Sequence, residues 1–258
     1  MPTATLLPWF APRLSPGISR VLTSIGHKTE LVRGGQIGTS PFFKRVVFVR
    51  SGLLAQGVIH PVTNAPFMLT LSAAGSFGVL TRAIDAVDNL PRRYWAATQC
   101  EVFTVPPEIF LRVAEIEPAW NDELNRYALS RAICERLGLM VCQAASPAEL
   151  LGVFLVSLVK AAGTPNICAL PVKSFVRLPT APSRRLTAAL LNCRFEQIDE
   201  TLRGWMRDGL MRMSGSKVTV RADLLHTYET WLQPFLQMQP AIGLKAPERP
   251  AFDVSNLM

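Results

Sequence analysis

Histidine is scarce in this sequence, with three in 258 residues (His27, His60 and His226), and the five cysteines (Cys100, Cys134, Cys142, Cys168, Cys193) never form a CxxC pair. Structural zinc needs four such ligands at close spacing, so no metal site is expected. An odd, scattered set of thiols excludes a disulfide framework and suits a reducing cytoplasm. With no cysteine before Cys100, an iron–sulfur cluster near the start of the chain is excluded as well. There is no Walker-type phosphate loop and no G-x-S-x-G elbow, and the three histidines have no evident nucleophile beside them. An enzyme is therefore not expected. Long apolar runs are also missing. The longest helical one, "LLGVFLVSLV" (150–159), is too short to span a bilayer. Prolines at 2, 8, 12 and 16 interrupt the first segment, which lacks the apolar stretch of a secretion signal. These absences lead to a cytoplasmic protein without a membrane partner.

What is present is enough apolar sequence for a real core, 49% hydrophobic against 18% charged, and a formal charge of +8 with a pI near 9.7. An excess of that size implies an anionic partner, nucleic acid or an acidic membrane surface. Its location discriminates between them. Residues 172–222 hold ten Lys/Arg against four acids, so most of the excess lies in about a fifth of the chain. A compact basic segment is the footprint of a nucleic-acid-binding unit.

The periodicity divides the chain. From about residue 28 to 106, short runs rich in Val, Phe, Leu and Thr ("TELVR", "RVVFVR", "LLAQGVI", "FMLTLS", "RYWAATQ", "EVFTV") alternate with turn signals at "GGQ", "RSG", "HPVTNAP" and "AAGSFG". Strands at this spacing predict a β-sandwich or small barrel. "PEIFLRVAEIEP" then reads as a short helix, and 119–145 as a long one without internal proline. Its row Trp120, Leu124, Tyr127, Arg131, Cys134, Gly138 and Val141 is mostly apolar, and a second row is Leu129, Ile133, Leu137 and Met140. Two stripes imply two covered surfaces, such as the β-domain and a partner chain, or else burial in one core. Ser146 and Glu149 stand at capping-box spacing before a further helix that ends at Gly163.

Residues 182–220, "PSRRLTAALLNCRFEQIDETLRGWMRDGLMRMSGSKVTV", parse as a winged helix-turn-helix. Helix one covers 183–191, with the small Ala188 where two helices can cross. Asn192 sits at the turn, where a left-handed residue is often needed. Helix two covers 195–208 and turns Ile198, Leu202, Trp205 and Met206 inward. Gly209 stops it, and "LMRM", "SGSK" and "VTVR" form a hairpin wing.

With these features in order, the chain resembles the Crp–Fnr family of bacterial transcription regulators from about residue 28 to 225. "FVRSG" (48–52), "AAGSFGVL", "TQCEVFTVPPEIFLRV" and "MRDGLMRMSGSKVTV" carry the resemblance. It implies an α+β fold with four parts. These are an antiparallel, jelly-roll-like β-roll with its lead (1–117), a long dimerisation helix (118–145), a winged helix-turn-helix (146–238) and a loosely packed tail (239–258). It further implies a homodimer on double-stranded promoter DNA, with two reading helices in successive major grooves and RNA polymerase as a further partner. The dimer helix residues would be Trp120, Leu124, Tyr127, Arg131, Cys134 and Val141.

The departures from the family pattern are informative. Cyclic-AMP-binding members carry Glu after the second glycine, where this chain has Val79, and an ungapped count puts Leu90 at the phosphate-holding Arg. Neither supplies charge to a phosphate. No cofactor is expected, and an effector of other chemistry would use Gly75, Phe77, Gly78, Val79, Leu80, Arg92 or Arg93. Haem would have only His27 or His60 to draw on. In the reading helix Glu196 matches a family Glu able to accept from cytosine, and Gln197 can read adenine. Phe195 and Glu200 replace family arginines, and Arg194 sits one residue early. Base reading thus falls to Arg194, Phe195, Glu196, Gln197 and Glu200. Phosphate anchoring falls to Arg184, Arg185, Arg203, Lys217 and Arg221. Asp199 and Glu200 are expected to repel a nearby phosphate. That acidic pair leaves one alternative open, a regulator that keeps the fold but acts mainly through another protein.

Overall fold

The computed structural model describes residues 6–37, 45–59, 62, 66–78, 92–163, 167–181, 183–215 and 217–237. The sequence-predicted tail (239–258) and Val79, Leu80, Leu90, His60 and Pro182 lie outside them.

Helix α1 (Pro16–Ile25) opens the described fold where the prolines suggested only an interrupted lead. Pro16 stands at the first helical position, where a missing N–H is harmless, and the Ser15 hydroxyl accepts from the Ile18 N–H. The helix buries Ile18 and Leu22 on strands that follow. These are β1 (His27–Leu31), β2 (Gln36–Ile37), β3 (Val46–Ser51), β4 (Leu53–Ile59), β5 (Pro66–Ala73), β6 (Ser76–Gly78), β7 (Arg92–Ala96) and β8 (Cys100–Val105). They pair antiparallel in two sheets, β1-β8-β3-β6 and β2-β7-β4-β5. Leu31, Val47, Val49, Leu54, Tyr94 and Val102 fill the space between. All six predicted strands are present. β2 and β6 are too short for an alternation to show, and β6 lies inside a segment that reads as a turn. Gly52, in "FVRSG", is required at its corner. Its φ is +91°, and a Cβ there would stand 2.3 Å from the Gln99 carbonyl oxygen.

Helices α2 (Pro107–Ile116) and α3 (Pro118–Ala144) follow as expected. The row assigned to a partner needs correction, because α3 turns it onto its own chain. Trp120 and Leu124 pack beside Phe77, Phe103 and Phe110. The Tyr127 ring stacks on Phe77 at 4.4 Å, and its hydroxyl donates to the Phe77 carbonyl (2.8 Å). Arg131 is buried, donating to Gln56 Oε1 (2.7 Å), Glu135 Oε1 (2.9 Å) and the Phe77 carbonyl (3.2 Å). Cys134 lies beside Leu6 and Leu137, and Val141 lies in the main core. Burial pushes the Tyr127 phenol above its usual range and the Cys134 thiol up to about 12, so both stay neutral. An apolar row with one arginine reads as a partner seam only while its buried counterpart, Gln56 on a distant strand, is unknown. Arg131→Ala is expected to destabilise the fold by about 3 kcal/mol, the loss typical of breaking a buried charged network. The check is a lower urea midpoint at unchanged slope.

The remaining described elements are α4 (Pro147–Ala161), a 3₁₀ turn (Ile167–Ala169), β9 (Phe175–Arg177), α5 (Arg184–Leu190), α6 (Phe195–Arg207), β10 (Met211–Ser214), β11 (Lys217–Arg221) and α7 (Ala222–Gln237). The Ser146–Glu149 capping box forms as its spacing predicts (2.7 and 3.5 Å). Residues of the lead join the parts together. Phe10 bridges to Leu71, the Leu71 N–H donates to the Trp9 carbonyl (2.7 Å), and the Trp9 N–H donates to the Cys134 carbonyl (3.2 Å). Phe10 stacks on Phe154 of α4 at 6.3 Å, and Arg13 donates to the Ala161 carbonyl (2.6 Å). The largest core cluster therefore crosses the boundary placed at 145/146. It holds Leu71 of the β-roll, Trp9 of the lead and Leu155 of α4.

Candidate nucleic-acid interface

The helix-turn-helix is built from local signals. The Ser183 hydroxyl stands at the start of α5, 3.5 Å from the Leu186 N–H. Asn192 takes φ +52° at the turn, and the Cys193 N–H donates to the Ala188 carbonyl (2.9 Å). The Gln197 side chain accepts from the Arg194 N–H (3.0 Å), closing the start of α6. Ile198, Leu202 and Trp205 are buried and Met206 is half-buried, the inward row that the spacing predicts. Gly209, at φ +68°, ends the helix, with the Leu210 N–H donating to the Trp205 carbonyl (2.8 Å).

The outward stripe of α6 is Phe195, Glu196, Glu200, Arg203 and Arg207. Phe195 is 41% exposed at the tip, a large apolar group presented to solvent. Arg194 is exposed beside it. Gln197 is half-buried and uses its oxygen on the helix start, which leaves its amide N–H₂ for base contact. All five base-reading candidates therefore lie at one end or along one face of α6.

The wing is a three-stranded sheet, β10-β11-β9. Its third strand comes from the proline-containing connector, and three residues gave no period to read. It sets Arg177 opposite Thr219, while the Arg212 guanidinium lies 3.9 Å over the Phe175 ring. Arg177, Arg207 and Arg212 are exposed cations that the sequence counted in the basic segment but could not place on a face.

The five phosphate candidates divide by their surroundings. Arg185 and Lys217 are exposed, with no ion pair to another described residue. Arg221 is gripped by Asp223 through contacts of 2.6–2.9 Å, and the guanidinium holds that carboxyl below its usual value. Arg184 and Arg203 both pair with Asp199. The expectation that Asp199 faces a phosphate is corrected, because its carboxylate is buried beneath the two arginines. Glu200 alone of the acidic pair remains on the exposed stripe.

Among the described residues, the effector candidates have the following places. Gly75 takes φ +86° in a turn, Phe77 is buried under Tyr127, and Gly78 pairs with Val47. Arg92 and Arg93 stand opposite Val58 and Gly57 on β7. His27 is exposed on β1, and His226 Nε2 lies 2.6 Å from the Ile167 carbonyl oxygen. Among the described residues no cluster of three or more His, Cys, Asp or Glu could hold a metal ion, and no helix is long and apolar enough to cross a membrane.

No family model and no curated protein matches the chain. Solved structures do. FixK2 from Bradyrhizobium japonicum is 14% identical, with a TM-score of 0.59 over 80% of this chain and 96% of its own. A CprK variant complexed with OCPA is 12% identical, with a TM-score of 0.57 over 89% and 99%. A structure from Eubacterium rectale assigned to the crp/fnr family is 14% identical, with a TM-score of 0.58 over 84% and 95%. On these likenesses the chain has the fold of the Crp/Fnr regulators.

Proposed function

We propose that the protein is a dimeric, cytoplasmic transcription regulator that binds promoter DNA and does not respond to cyclic AMP. The observation that carries this reading is the surface around α6. One helix exposes a stripe of Phe195, Glu196, Glu200, Arg203 and Arg207, and the neighbouring α5 (Arg185) and wing (Arg177, Arg212, Lys217) expose further cations. That is the arrangement a duplex needs, base-reading groups together with backbone-holding ones. Cyclic AMP is set aside because Val79 and Leu90 carry no charge and the chain's own Arg131, Gln56 and Tyr127 fill the space where β-roll and long helix meet. A catalytic role is not part of the proposal.

The test is selection of genomic fragments by the purified protein at two salt concentrations without nucleotide. A two-fold-symmetric motif is expected, with affinity falling steeply as salt rises. Lys217→Ala should weaken binding to every sequence and lower the salt slope by about 0.9. Glu196→Ala should instead change the preferred base at one position of each half-site, by about 1–3 kcal/mol of discrimination. Equal, small effects from both substitutions would count against the assignment.

A further inference from the structure

Asp199 is an acid in the middle of a helix proposed to approach a polyanion. Its side chain is only 10% exposed, and it is enclosed by two guanidiniums. Arg184 comes from the first turn of α5. Arg203 comes from one turn further along α6, with Nη2 2.6 Å from Oδ2. Neither arginine is a core residue, since their side chains are 37% and 73% exposed. Both rise to the surface between the two helices and fold back onto the one carboxylate.

Resting on the DNA-binding reading, we infer that Asp199 is an internal counter-ion at the backbone-contacting surface, a carboxylate standing in for a DNA phosphate. Guanidinium receives carboxylate and phosphate oxygens through the same N–H fork, so the two anions compete for one geometry. With Asp199 in place the trio presents one net positive charge where the arginines alone would present two. A phosphate approaching either arginine meets a group already partly neutralised, and fewer solution counterions are released on binding. The affinity for any duplex is held down, and base contacts from Glu196 and its neighbours decide more of the total. Asp199 is on this account a residue that sets the strength and salt dependence of backbone binding and touches no base.

A purely structural role, tying α5 to α6, is the competing explanation. The two helices already meet through Ala188, Leu191 and Ile198, all buried in the main core. The two roles predict opposite results. Asp199→Asn keeps the size and removes the charge, and Asp199→Ser makes the same charge change with a shorter side chain. Binding of the full-length variants to a selected duplex and to an unrelated one is followed by fluorescence anisotropy from 50 to 200 mM salt. Both variants are expected to bind both duplexes more tightly than the parent, and by a similar factor, because backbone contacts carry no sequence information. For each additional phosphate engaged, the variant should lose about 3.5-fold more affinity than the parent over that fourfold salt range. The gain should vanish when Arg184→Ala and Arg203→Ala are added. Parent protein that binds DNA while both variants bind equally or more weakly overturns this inference and leaves the DNA-binding reading standing. Parent protein that binds no duplex overturns that reading and this inference with it.

Discussion

Gly138→Ala is expected to lower stability although it improves helix propensity. Alanine in a helix interior is favoured over glycine by about 1 kcal/mol, and Gly138 lies deep inside α3. Against that gain stands the Trp9 indole. A Cβ on residue 138 would lie 2.5 Å from Trp9 Cδ1 and 2.7 Å from Nε1, and the ring is enclosed at 4% exposure, with an edge on Phe154. The ring has little room to give. Trp9 itself holds φ +62°, a conformation that costs a bulky residue about 1–3 kcal/mol, so its backbone stays in place only because its contacts insist on it. Overpacking of about 1–3 kcal/mol, with the contacts of Trp9 loosened, outweighs the helical gain. The expected result is a net loss of about 1 kcal/mol in urea unfolding and faster proteolysis within the lead. Trp9→Ala alone should lose about 3 kcal/mol or more through the cavity it leaves. In the double variant the clash disappears, so its loss should fall short of the two single losses added together by about 1 kcal/mol or more. Strict additivity would show that Gly138 is not the seat of Trp9.

The consequence reaches beyond stability. The segment that carries Trp9 touches Leu71 of the β-roll, Cys134 of α3 and Phe154 of α4 at once. A loosened lead removes shared contacts between β-roll, long helix and the domain that holds α6.

Much of this was legible in the sequence because it rests on short-range rules. The capping box at Ser146, the left-handed Asn192, the helix stop at Gly209 and the inward row Ile198, Leu202, Trp205 each depend on residues within a few positions of one another. What stayed hidden needed distant partners. Proline at 16 reads as a breaker until the chain before it is seen to end in a Ser15 cap. β9 has three residues and exists because β11 offers an edge. Asp199 reads as a repulsive surface acid, since no spacing rule shows that Arg184, on the preceding helix, is folded over it. The row that holds Arg131 reads equally as a partner seam or as core, because Gln56 lies 75 residues away. Both cases have one form: a charged side chain reads as available to an outside partner while the group that neutralises it is distant in sequence.

With the Arg131 row turned inward, the proposed dimer contact falls to the opposite face of α3, and the second large effect follows from the residues there. Leu129, Ala132, Arg136 and Leu139 are exposed and recur at spacings of three, four and three, with Met140 beside them. Leu129 and Leu139 are 54% and 58% exposed, which is a heavy apolar load for a face that meets only water. In a two-fold parallel pair each of these residues meets its own copy, so leucines pack on leucines while Arg136 faces Arg136. Like charges at the seam weaken the pair and fix its register. Leu129→Glu with Leu139→Glu would place two further like-charge contacts across the axis. Because both side chains are exposed in the single chain, its far-UV circular dichroism should hardly change, while its urea midpoint should lose the dependence on protein concentration that a dimer confers. Light scattering should show a monomer for the variant and the proposed dimer for the parent. Affinity for the two-fold-symmetric site should fall by a factor on the order of 10²–10⁴, the avidity lost when two linked modules become separate, while a single half-site is bound as before. Arg136→Leu should do the reverse and tighten the dimer. A double glutamate variant that remains dimeric would remove this face from the interface. One that becomes monomeric but keeps full affinity for the symmetric site would show that the two reading helices never act together.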